Sequence, residues 1–275
     1  MNATLPRIAL VGTGKMVGAI LEGLLQPDVS LEALRATTQS GSSASLLVER
    51  GVEAKSVEED AGANRWAVED ADIVLLGVKP YAIVDVAAEV ASALKPGAVV
   101  VSVAAGITTA SIEAVVTQPV VRAMPNTPSQ IRQGVTGIAG GSRASEHNIE
   151  LVDALFSLVG EVVVVDEDRI NDLSALSGSG PAYLFYIAEK LIDVARERGF
   201  SDEQAQTMVT GTLLGAAQLL DQSEHSAEQL RHAVTSPGGT TQQAISVLDA
   251  HDMGSIWAEA IDRAVARAEE MATAK

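Results

Sequence analysis

The sequence predicts a two-domain α/β protein in which a doubly wound sheet, residues 1–166, precedes an all-helical domain, residues 167–275. Up to Asp166, short apolar runs rich in β-branched residues alternate with helical patterns, as in sheets covered by helices on both faces. From Arg169 onward the sequence holds only helical segments separated by turns. With 275 residues, of which 47% are hydrophobic, the chain is long enough to fill two ordinary cores.

Seven strands are predicted in the first domain, and most of them are continuously apolar. In chain order they are RIALVG (7–12), ALRATT (33–38), ADIVLLGV (71–78), AVVVSVAA (98–105), PVVRAM (119–124), VTGIAG (135–140) and EVVVVD (161–166). Their alternation with helical patterns is typical of βαβ units and favours a doubly wound sheet.

Four turns separate the helical segments of the second domain: SGSGP (177–181), ERGFSDEQ (197–204), SEHSAEQ (223–229) and SPGGTT (236–241). In the last turn, Thr240 and Gln243 fit a Thr-x-x-Gln capping box, which predicts that Thr240 is the N-cap of the next helix. Amide groups at such a helix start bind anions, and a neighbouring threonine hydroxyl can bind a second polar group of the same small molecule.

The composition argues against several functional classes. Lys and Arg number 19 against 36 Asp and Glu, and the net charge of −17 argues against a nucleic-acid or anionic-membrane partner. There is no cysteine, and His147, His225, His232 and His251 lack metal-ligand spacing, so no metal is expected. The apolar start of the chain is interrupted by Lys15 and no cleavage site follows, so we expect a cytoplasmic protein.

The stretch IALVGTGKMVGAI places Gly12 and Gly14 between the first strand and a helix. This pattern resembles the Rossmann dinucleotide fingerprint, in which the glycines form a tight turn and bring a pyrophosphate to the helix N-terminus. Val17 stands where the third glycine is usual, so we expect a slightly wider spacing between helix and strand. Lys15 either adds positive charge near the phosphates or is a solvated lysine.

The end of the second strand bears on the choice of nicotinamide cofactor. In NAD-binding folds, a carboxylate at this point accepts hydrogen bonds from the ribose hydroxyls. Here the sequence RATTQSGSS is followed by no acid before Glu49. Thr38, Gln39, Ser40 and Ser42 offer hydroxyl and amide groups for a 2′-phosphate instead. The sequence therefore favours NADPH and leaves NADH open. An ordinary polar turn remains the alternative for each of these residues.

Five further segments carry a resemblance that covers essentially the whole chain. They are GVKP (77–80), SVAAGIT (102–108), RAMPNTP (122–128), LSGSGPAY (176–183) and LRHAVTSPGGTTQQAISVLD (230–249). Their order and spacing resemble those of pyrroline-5-carboxylate reductases, and the last segment is the most discriminating. The resemblance implies a Rossmann domain, a helical dimerisation domain, and reduction of pyrroline-5-carboxylate to proline with NADPH or NADH. It also implies that this is the last step of proline biosynthesis and that active sites are completed at a dimer interface.

The resemblance also assigns residues to the cofactor and the substrate. For the cofactor, it implies Gly12, Gly14 and Met16 at the pyrophosphate, Asn64, Val78 and Lys79 at the ribose or phosphates, and Ala104, Ala105 and Gly106 at the nicotinamide. For the substrate, it implies a site formed by Ser236, Gly238, Gly239, Thr240 and Thr241. Backbone amides near Gly239 to Thr241 would hold the carboxylate, and the Thr241 hydroxyl would contact the ring nitrogen, with Glu224. Lys15 and Val17 depart from the residues usual in this family, which puts the contacts of the cofactor loop in question.

The chemistry of an imine agrees with this assignment. Reduction of a ketone requires a nearby proton donor, but the segment RINDLSALSGSG contains no lysine and Lys190 lies well along the next helix. A cyclic imine can be protonated before hydride arrives, so it needs positioning more than acid–base catalysis. Thr241, which the resemblance places at the ring nitrogen, is the residue to which we assign the catalytic role.

Several alternatives remain open at the level of sequence. The protein could reduce another imine or a hydroxy acid with NADPH, or it could be a non-catalytic NADPH-binding regulator. Helix capping alone would explain the presence of Thr240 and Thr241. Glu224 could be an ordinary carboxylate exposed to solvent. Arg122 suits a structural ion pair as well as a ligand contact.

Two helical stretches, 208–220 and 256–271, are rich in small residues and suit packing between subunits in a homodimer or larger homo-oligomer.

Overall fold

The computed structural model describes residues 4–273, which divide into two compact units. The N-terminal unit runs to Ser179 and also takes in the last helix from Ala264 onward, and the helical unit is Gly180–Arg263. The predicted domain boundary after residue 166 lies thirteen residues before the end of the first stretch of the N-terminal unit, and it stays a prediction.

Ten strands form two sheets in the N-terminal unit. They are β1 Thr4–Leu5, β2 Ile8–Val11, β3 Ser30–Leu31, β4 Leu34–Thr38, β5 Glu53–Ser56, β6 Ile73–Leu76, β7 Val99–Ser102, β8 Val120–Met124, β9 Gly134–Gly140 and β10 Gly160–Val164. β1 pairs only with β3, and the other eight form one sheet of order β10-β9-β8-β7-β6-β2-β4-β5. All seven predicted strands are confirmed, and β5 is an additional edge strand.

The large sheet is mixed, not wholly parallel. Six neighbours from β8 to β5 run parallel, whereas β9 is antiparallel to β8 and carries the parallel strand β10. β8 and β9 are joined by the short connection 125–133, which is too short for the crossover that parallel neighbours need. The reversal follows from that length.

Helices cover both faces of the sheet, which confirms the doubly wound arrangement. The helices of this unit are α1 Lys15–Leu24, α2 Gly41–Glu49, α3 Ala63–Val68, α4 Ile83–Val90, α5 Thr109–Glu113, α6 Glu146–Phe156 and α7 Ile170–Leu173. Along β2, Ile8 and Leu10 pack with α1 and α6, while Ala9 and Val11 pack with α3, α4 and α5. Successive side chains of a strand point to opposite faces, so each face has its own core.

The helical unit contains no strand within its described residues, as the sequence predicts. Its helices are α8 Gly180–Glu197, α9 Asp202–Gln222, α10 Ala227–Ala233, α11 Thr240–Ala250 and the first part of α12 Met253–Thr273. α8 packs against α9, and the ring of Tyr183 lies 5.6 Å from that of Trp257. None of the helices within residues 4–273 combines the length and the apolar composition that a membrane crossing requires.

Candidate functional site

Four of the parallel strands end side by side at one edge of the sheet, in the order β7-β6-β2-β4. From β2 the chain proceeds outward to β4 and β5, then returns to place β6 and β7 on the other side of β2. The crevice between β2 and β6 is therefore the topological switch point, where doubly wound sheets bind their ligands. Most predicted cofactor residues lie at the ends of these four strands or just after them: Gly12, Gly14, Lys15, Met16, Thr38, Gln39, Ser40, Val78, Lys79, Ala104, Ala105 and Gly106.

The turn after β2 is built around Gly12. Its φ is +84°, and a Cβ at this position would lie 2.6 Å from Cγ1 of Val78. The Gly12 amide donates to the Thr37 hydroxyl at 3.1 Å, and the Thr13 amide donates to the Thr37 carbonyl at 2.8 Å. The turn is thus held against β4 and β6, and only glycine fits it.

The start of α1 is open to an anion. Gly14 is the N-cap and no side chain caps the helix, and both Gly14 and Lys15 are exposed. The first amides of a helix have no intrahelical acceptor and favour negative charge. This uncapped start, next to a turn that a Cβ at Gly12 would fill, fits the pyrophosphate of a dinucleotide.

The room for Val17 comes from Gly77, which follows β6. Val17 is buried, and a Cβ on Gly77 would collide with its side chain. The sequence predicts a wider spacing here because the third glycine of the fingerprint is missing. Instead, Gly77, just after β6, lacks a side chain and leaves room for that of Val17. The fold thus accommodates a valine where the fingerprint usually has its third glycine.

Asn64 supports the Gly12 turn through Thr37. It is 7% exposed, its Oδ1 accepts from the Thr37 hydroxyl at 2.9 Å, and its Nδ2 donates to Glu89 at 3.2 Å. Its carboxamide is therefore engaged inside the unit, in the chain of contacts that orients the Gly12 amide through Thr37. A direct contact of Asn64 with the cofactor stays a prediction.

The turn after β4 has fewer free groups than the sequence suggests. The Thr38 hydroxyl donates to the Ser40 carbonyl at 2.9 Å, and the Ser40 hydroxyl caps α2 by accepting from the Ser43 amide at 3.4 Å. Nε2 of Gln39 lies 3.5 Å from Oε1 of Glu58. Sequence reasoning missed Glu58 because it follows β5, the polar strand EAKS that carries no apolar pattern.

The loop after β7 is anchored at both ends. At its start, the Ala104 amide donates to Ser102 Oγ at 3.3 Å, and Gly106 has a φ of +74°. At its end, the amide and the hydroxyl of Thr109 donate to the two carboxylate oxygens of Glu167 at 2.6 and 2.5 Å. Ala105 is exposed at the middle of this loop.

Arg122 lies next to this anchor and makes a structural ion pair. Its side chain is 4% exposed, its Nη1 lies 3.8 Å from Glu167, and its Nη2 donates to Asn171 at 3.1 Å. Burial lowers the pKa of Arg122 below its usual value, and the charge of Glu167 opposes that shift. Of the two interpretations open for Arg122, the structure provides the partners of an ion pair.

The Ser236–Thr241 turn differs from its predicted form. The N-cap of α11 is Gly239 and no side chain caps it, so the predicted capping box of Thr240 and Gln243 is wrong. Gly238, with a φ of +73°, turns the chain so that the Gly239 amide donates to the Ser236 carbonyl at 3.0 Å. The helix consequently starts one residue earlier than a threonine cap would allow.

Two amides and two hydroxyls of this turn face no partner in the described chain. The Gly238 amide donates to the side chain of Gln242 at 2.6 Å, and the Gly239 amide is used in the turn. Thr240 and Thr241 are exposed, and their amides belong to the first turn of α11, where a helix has no acceptor of its own. Glu224 is also exposed, between α9 and α10, and within residues 4–273 no hydrogen bond joins it to this turn.

No metal centre is found in the part of the chain that the structure describes. Residues 4–273 contain no group of three or more His, Asp or Glu side chains arranged to hold an ion.

Comparisons with known proteins give a consistent result. Residues 167–271 match the family described as pyrroline-5-carboxylate reductase dimerisation, and residues 7–106 match the one described as NADP oxidoreductase, coenzyme F420-dependent. The chain is 39% identical over 270 residues to the pyrroline-5-carboxylate reductase of Pseudomonas aeruginosa, with 97% of each chain covered.

Solved structures agree over the same extent. The chain is 36% identical to a pyrroline-5-carboxylate reductase from Coxiella burnetii, with a TM-score of 0.89 and coverage of 98% of this chain and 99% of that one. It also superposes on pyrroline carboxylate reductase from Plasmodium falciparum, solved with NADP bound, with a TM-score of 0.82. That similarity covers 99% and 100% of the two chains, and at 22% identity it concerns the fold alone.

Proposed function

Because the chain belongs to the pyrroline-5-carboxylate reductase family, we propose that it reduces pyrroline-5-carboxylate to proline with a hydride from NADPH or NADH. This reaction is the last step of proline biosynthesis. The observation that carries the proposal is the Ser236–Thr241 turn, whose uncapped helix start and free threonine suit a small ring acid.

The N-terminal unit holds the coenzyme in this proposal. The Gly12 turn and the start of α1, with Gly14, Lys15 and Met16, bind the pyrophosphate. The remaining contacts are assigned to the turn after β4, to the loops after β6 and β7, and to Asn64. The bound coenzyme supplies the hydride, and the anchored loop Ala104–Gly106 keeps its backbone in place beside the nicotinamide.

The substrate contacts are assigned to the start of α11. The amides of Thr240 and Thr241 bind the carboxylate, since those of Gly238 and Gly239 are already engaged within the chain. The Thr241 hydroxyl binds the ring nitrogen, with Glu224 as a second polar group. Ser236, Gly238 and Gly239 shape the turn that presents these groups.

Positioning supplies the catalysis in this proposal. Within the described residues, no lysine, histidine or tyrosine side chain hydrogen-bonds the Ser236–Thr241 turn. An imine that is already protonated accepts hydride and leaves as an amine, so the turn need not supply a proton at that step. Holding the reacting groups in a productive geometry lowers the barrier by itself.

The protein acts as a homodimer or a larger homo-oligomer in the cytoplasm, in this proposal. The C-terminal region matches a dimerisation family. In the helical unit many large apolar side chains are exposed in the single chain, among them Leu184, Phe185, Tyr186, Leu214, Leu219 and Val247. Exposed apolar surface of this extent is typical of a protein–protein interface.

Substitution of Thr241 by alanine tests the assignment. The loss of one hydrogen bond to the substrate predicts that kcat/KM for pyrroline-5-carboxylate falls about 10- to 100-fold. The affinity for reduced coenzyme, measured without substrate, stays nearly unchanged. Turnover is followed by the loss of nicotinamide absorbance.

The matched control is Ser246→Ala, which removes an exposed hydroxyl from the same helix that bonds only the Gln243 carbonyl. It should keep wild-type kinetics. Unchanged turnover in the Thr241 variant would remove that residue from the site. A panel of other imines and hydroxy acids tests substrate class, and absence of any turnover would point to a non-catalytic coenzyme-binding regulator.

A further inference from the structure

Two carboxylates lie beside the turn after β4, where Rossmann folds bind the adenosine ribose of a dinucleotide. β5 is paired with β4 in parallel register, with Thr38 opposite Ser56. The pairing continues past the ends of both strands, because the Val57 amide donates to the Thr38 carbonyl at 3.0 Å and the Glu58 amide donates to the Gln39 carbonyl at 3.3 Å. The chain after β5 therefore runs directly beside the turn after β4.

Glu58 accepts a hydrogen bond from Gln39, the residue of that turn with a side-chain amide. Nε2 of Gln39 is 3.5 Å from Oε1 of Glu58, and both side chains are exposed. A carboxylate in this place accepts hydrogen bonds from ribose hydroxyls, as the acid at the end of the second strand does in NAD-binding Rossmann folds. Here the acid comes from the neighbouring strand and not from β4 itself.

Glu59 lies against the start of α2. A Cβ built on Gly41, the first residue of this helix, would be 2.5 Å from Cδ of Glu59. The Glu59 backbone is fixed by a hydrogen bond from its amide to Ser56 Oγ at 3.2 Å. A helix start attracts phosphate groups, but at this one the chain has placed its own carboxyl group.

Lys55 lines the same hollow as Gly41 and Glu59, but no basic side chain is bonded to the turn in the described chain. Within the described chain, no lysine or arginine donates a hydrogen bond to the side chains of residues 38–43. Lys55, on the neighbouring strand, is paired with Asp60 at 2.9 Å. The hydroxyls of Thr38 and Ser40 are used within the turn, as described above. A 2′-phosphate, which carries about −1.5 to −2 charges at neutral pH, meets two acids here.

We propose that Glu58 and Glu59 determine coenzyme specificity, so that this protein binds NADH more tightly than NADPH. The inference rests on the proposed function, because it requires the coenzyme to occupy the crevice between β2 and β6. It differs from the NADPH preference that the sequence favours. That preference depends on the absence of an acid after β4, and the fold brings two acids to the same place.

Direct binding tests the proposal without any turnover. Wild-type protein is titrated with NADH and with NADPH, and binding is read from the nicotinamide fluorescence. We expect tighter binding of NADH. In Glu58→Gln and Glu59→Gln, NADPH affinity should rise relative to NADH affinity by about 10-fold, because each variant removes one negative charge from the turn proposed to receive the 2′-phosphate.

Glu49→Gln is the matched control, because it removes the same charge from the exposed last residue of α2. That residue lies roughly 12 Å along the helix from Gly41, beyond the Debye length of about 8 Å at physiological salt. Its ratio of NADPH to NADH affinity should equal that of the wild type.

Two results would overturn the inference and are distinguishable. If wild-type protein binds NADPH more tightly, or if neither glutamine variant changes the ratio beyond the control, Glu58 and Glu59 do not determine specificity, and the proposed function stands. If neither coenzyme binds to wild-type protein, the proposed function fails and this inference fails with it.

Discussion

Gly12 and Gly14 are two residues apart in one turn, yet the fold requires glycine at only one of them. A Cβ on Gly12 would lie 2.6 Å from the Val78 side chain, at a φ of +84° that other residues avoid. A Cβ on Gly14 would meet nothing within 4 Å, and its φ is −82°. Nothing within the fold requires glycine at position 14, which agrees with the proposed role of Gly14 at the coenzyme pyrophosphate.

The two positions should respond differently to alanine. Gly12→Ala is expected to lower the free energy of unfolding by about 1–3 kcal/mol and to abolish coenzyme binding. Gly14→Ala should lower the free energy of unfolding by about 1 kcal/mol at most, because alanine is a poorer N-cap than glycine. It should weaken coenzyme binding, because its methyl group would meet the pyrophosphate in the proposed site. Denaturant unfolding and a coenzyme titration measure the two effects.

Gly18→Ala serves as the control, since a Cβ there also has nothing within 4 Å and the residue lies inside α1. It should not destabilise the protein, because alanine is the better helix former. Normal coenzyme affinity in the Gly14 variant would contradict the assignment of the pyrophosphate to this turn.

At the scale of the element, the loop between β7 and α5 depends on a residue from much later in the chain. Glu167 accepts two hydrogen bonds from Thr109 and pairs with the buried Arg122. Glu167→Ala leaves a guanidinium and an amide without this partner. We therefore expect the free energy of unfolding to fall by about 2–4 kcal/mol, as measured by denaturant unfolding.

Glu167→Gln retains an acceptor and should lose less stability than the alanine variant. Glu161→Ala, at an exposed position of β10, should change the free energy of unfolding by less than about 0.5 kcal/mol. Equal stability of the Glu167→Ala and Glu161→Ala variants would show that the anchor contributes nothing.

The elements also show which features the sequence can predict. Buried strands such as β6 and β7 are continuous apolar runs, and burial on both faces makes that pattern unambiguous. β5 reads EAKS because it is an edge strand, and its side chains carry no signal. Its omission concealed Glu58 and Glu59, whose proximity to the turn after β4 depends on strand pairing.

The capping-box pattern at the start of α11 also gave a wrong prediction, because residue spacing alone does not fix the backbone conformation. Thr240 and Gln243 have the correct spacing for a capping box, but the left-handed conformation of Gly238 makes Gly239 the N-cap of the helix. The spacing of residue types did not show which of three consecutive small residues adopts the cap conformation. Likewise, the room for Val17 is provided by Gly77, a residue sixty positions away that only the fold brings near.

For the whole molecule, assembly is expected to depend on the exposed apolar side chains of the helical unit. Leu214 on α9 is 58% exposed in the single chain. Leu214→Glu places a charge on this surface, so we expect a lower molar mass by light scattering and reduced turnover. Leu46→Glu on α2 is the control, since Leu46 is 61% exposed and belongs to the N-terminal unit. An unchanged mass for the Leu214 variant would exclude its helix face from the interface.

The contacts of Arg122 and Asn126 also determine where the N-terminal unit could be cut. Arg122 reaches Glu167 and Asn171, and the Asn126 side chain donates to the Ser177 carbonyl at 3.0 Å. A gene fragment that stops at codon 166 would delete all of these acceptors and leave the buried guanidinium of Arg122 without its partners. A fragment extended to codon 179 would retain them, and we therefore expect it to be the more stable of the two fragments.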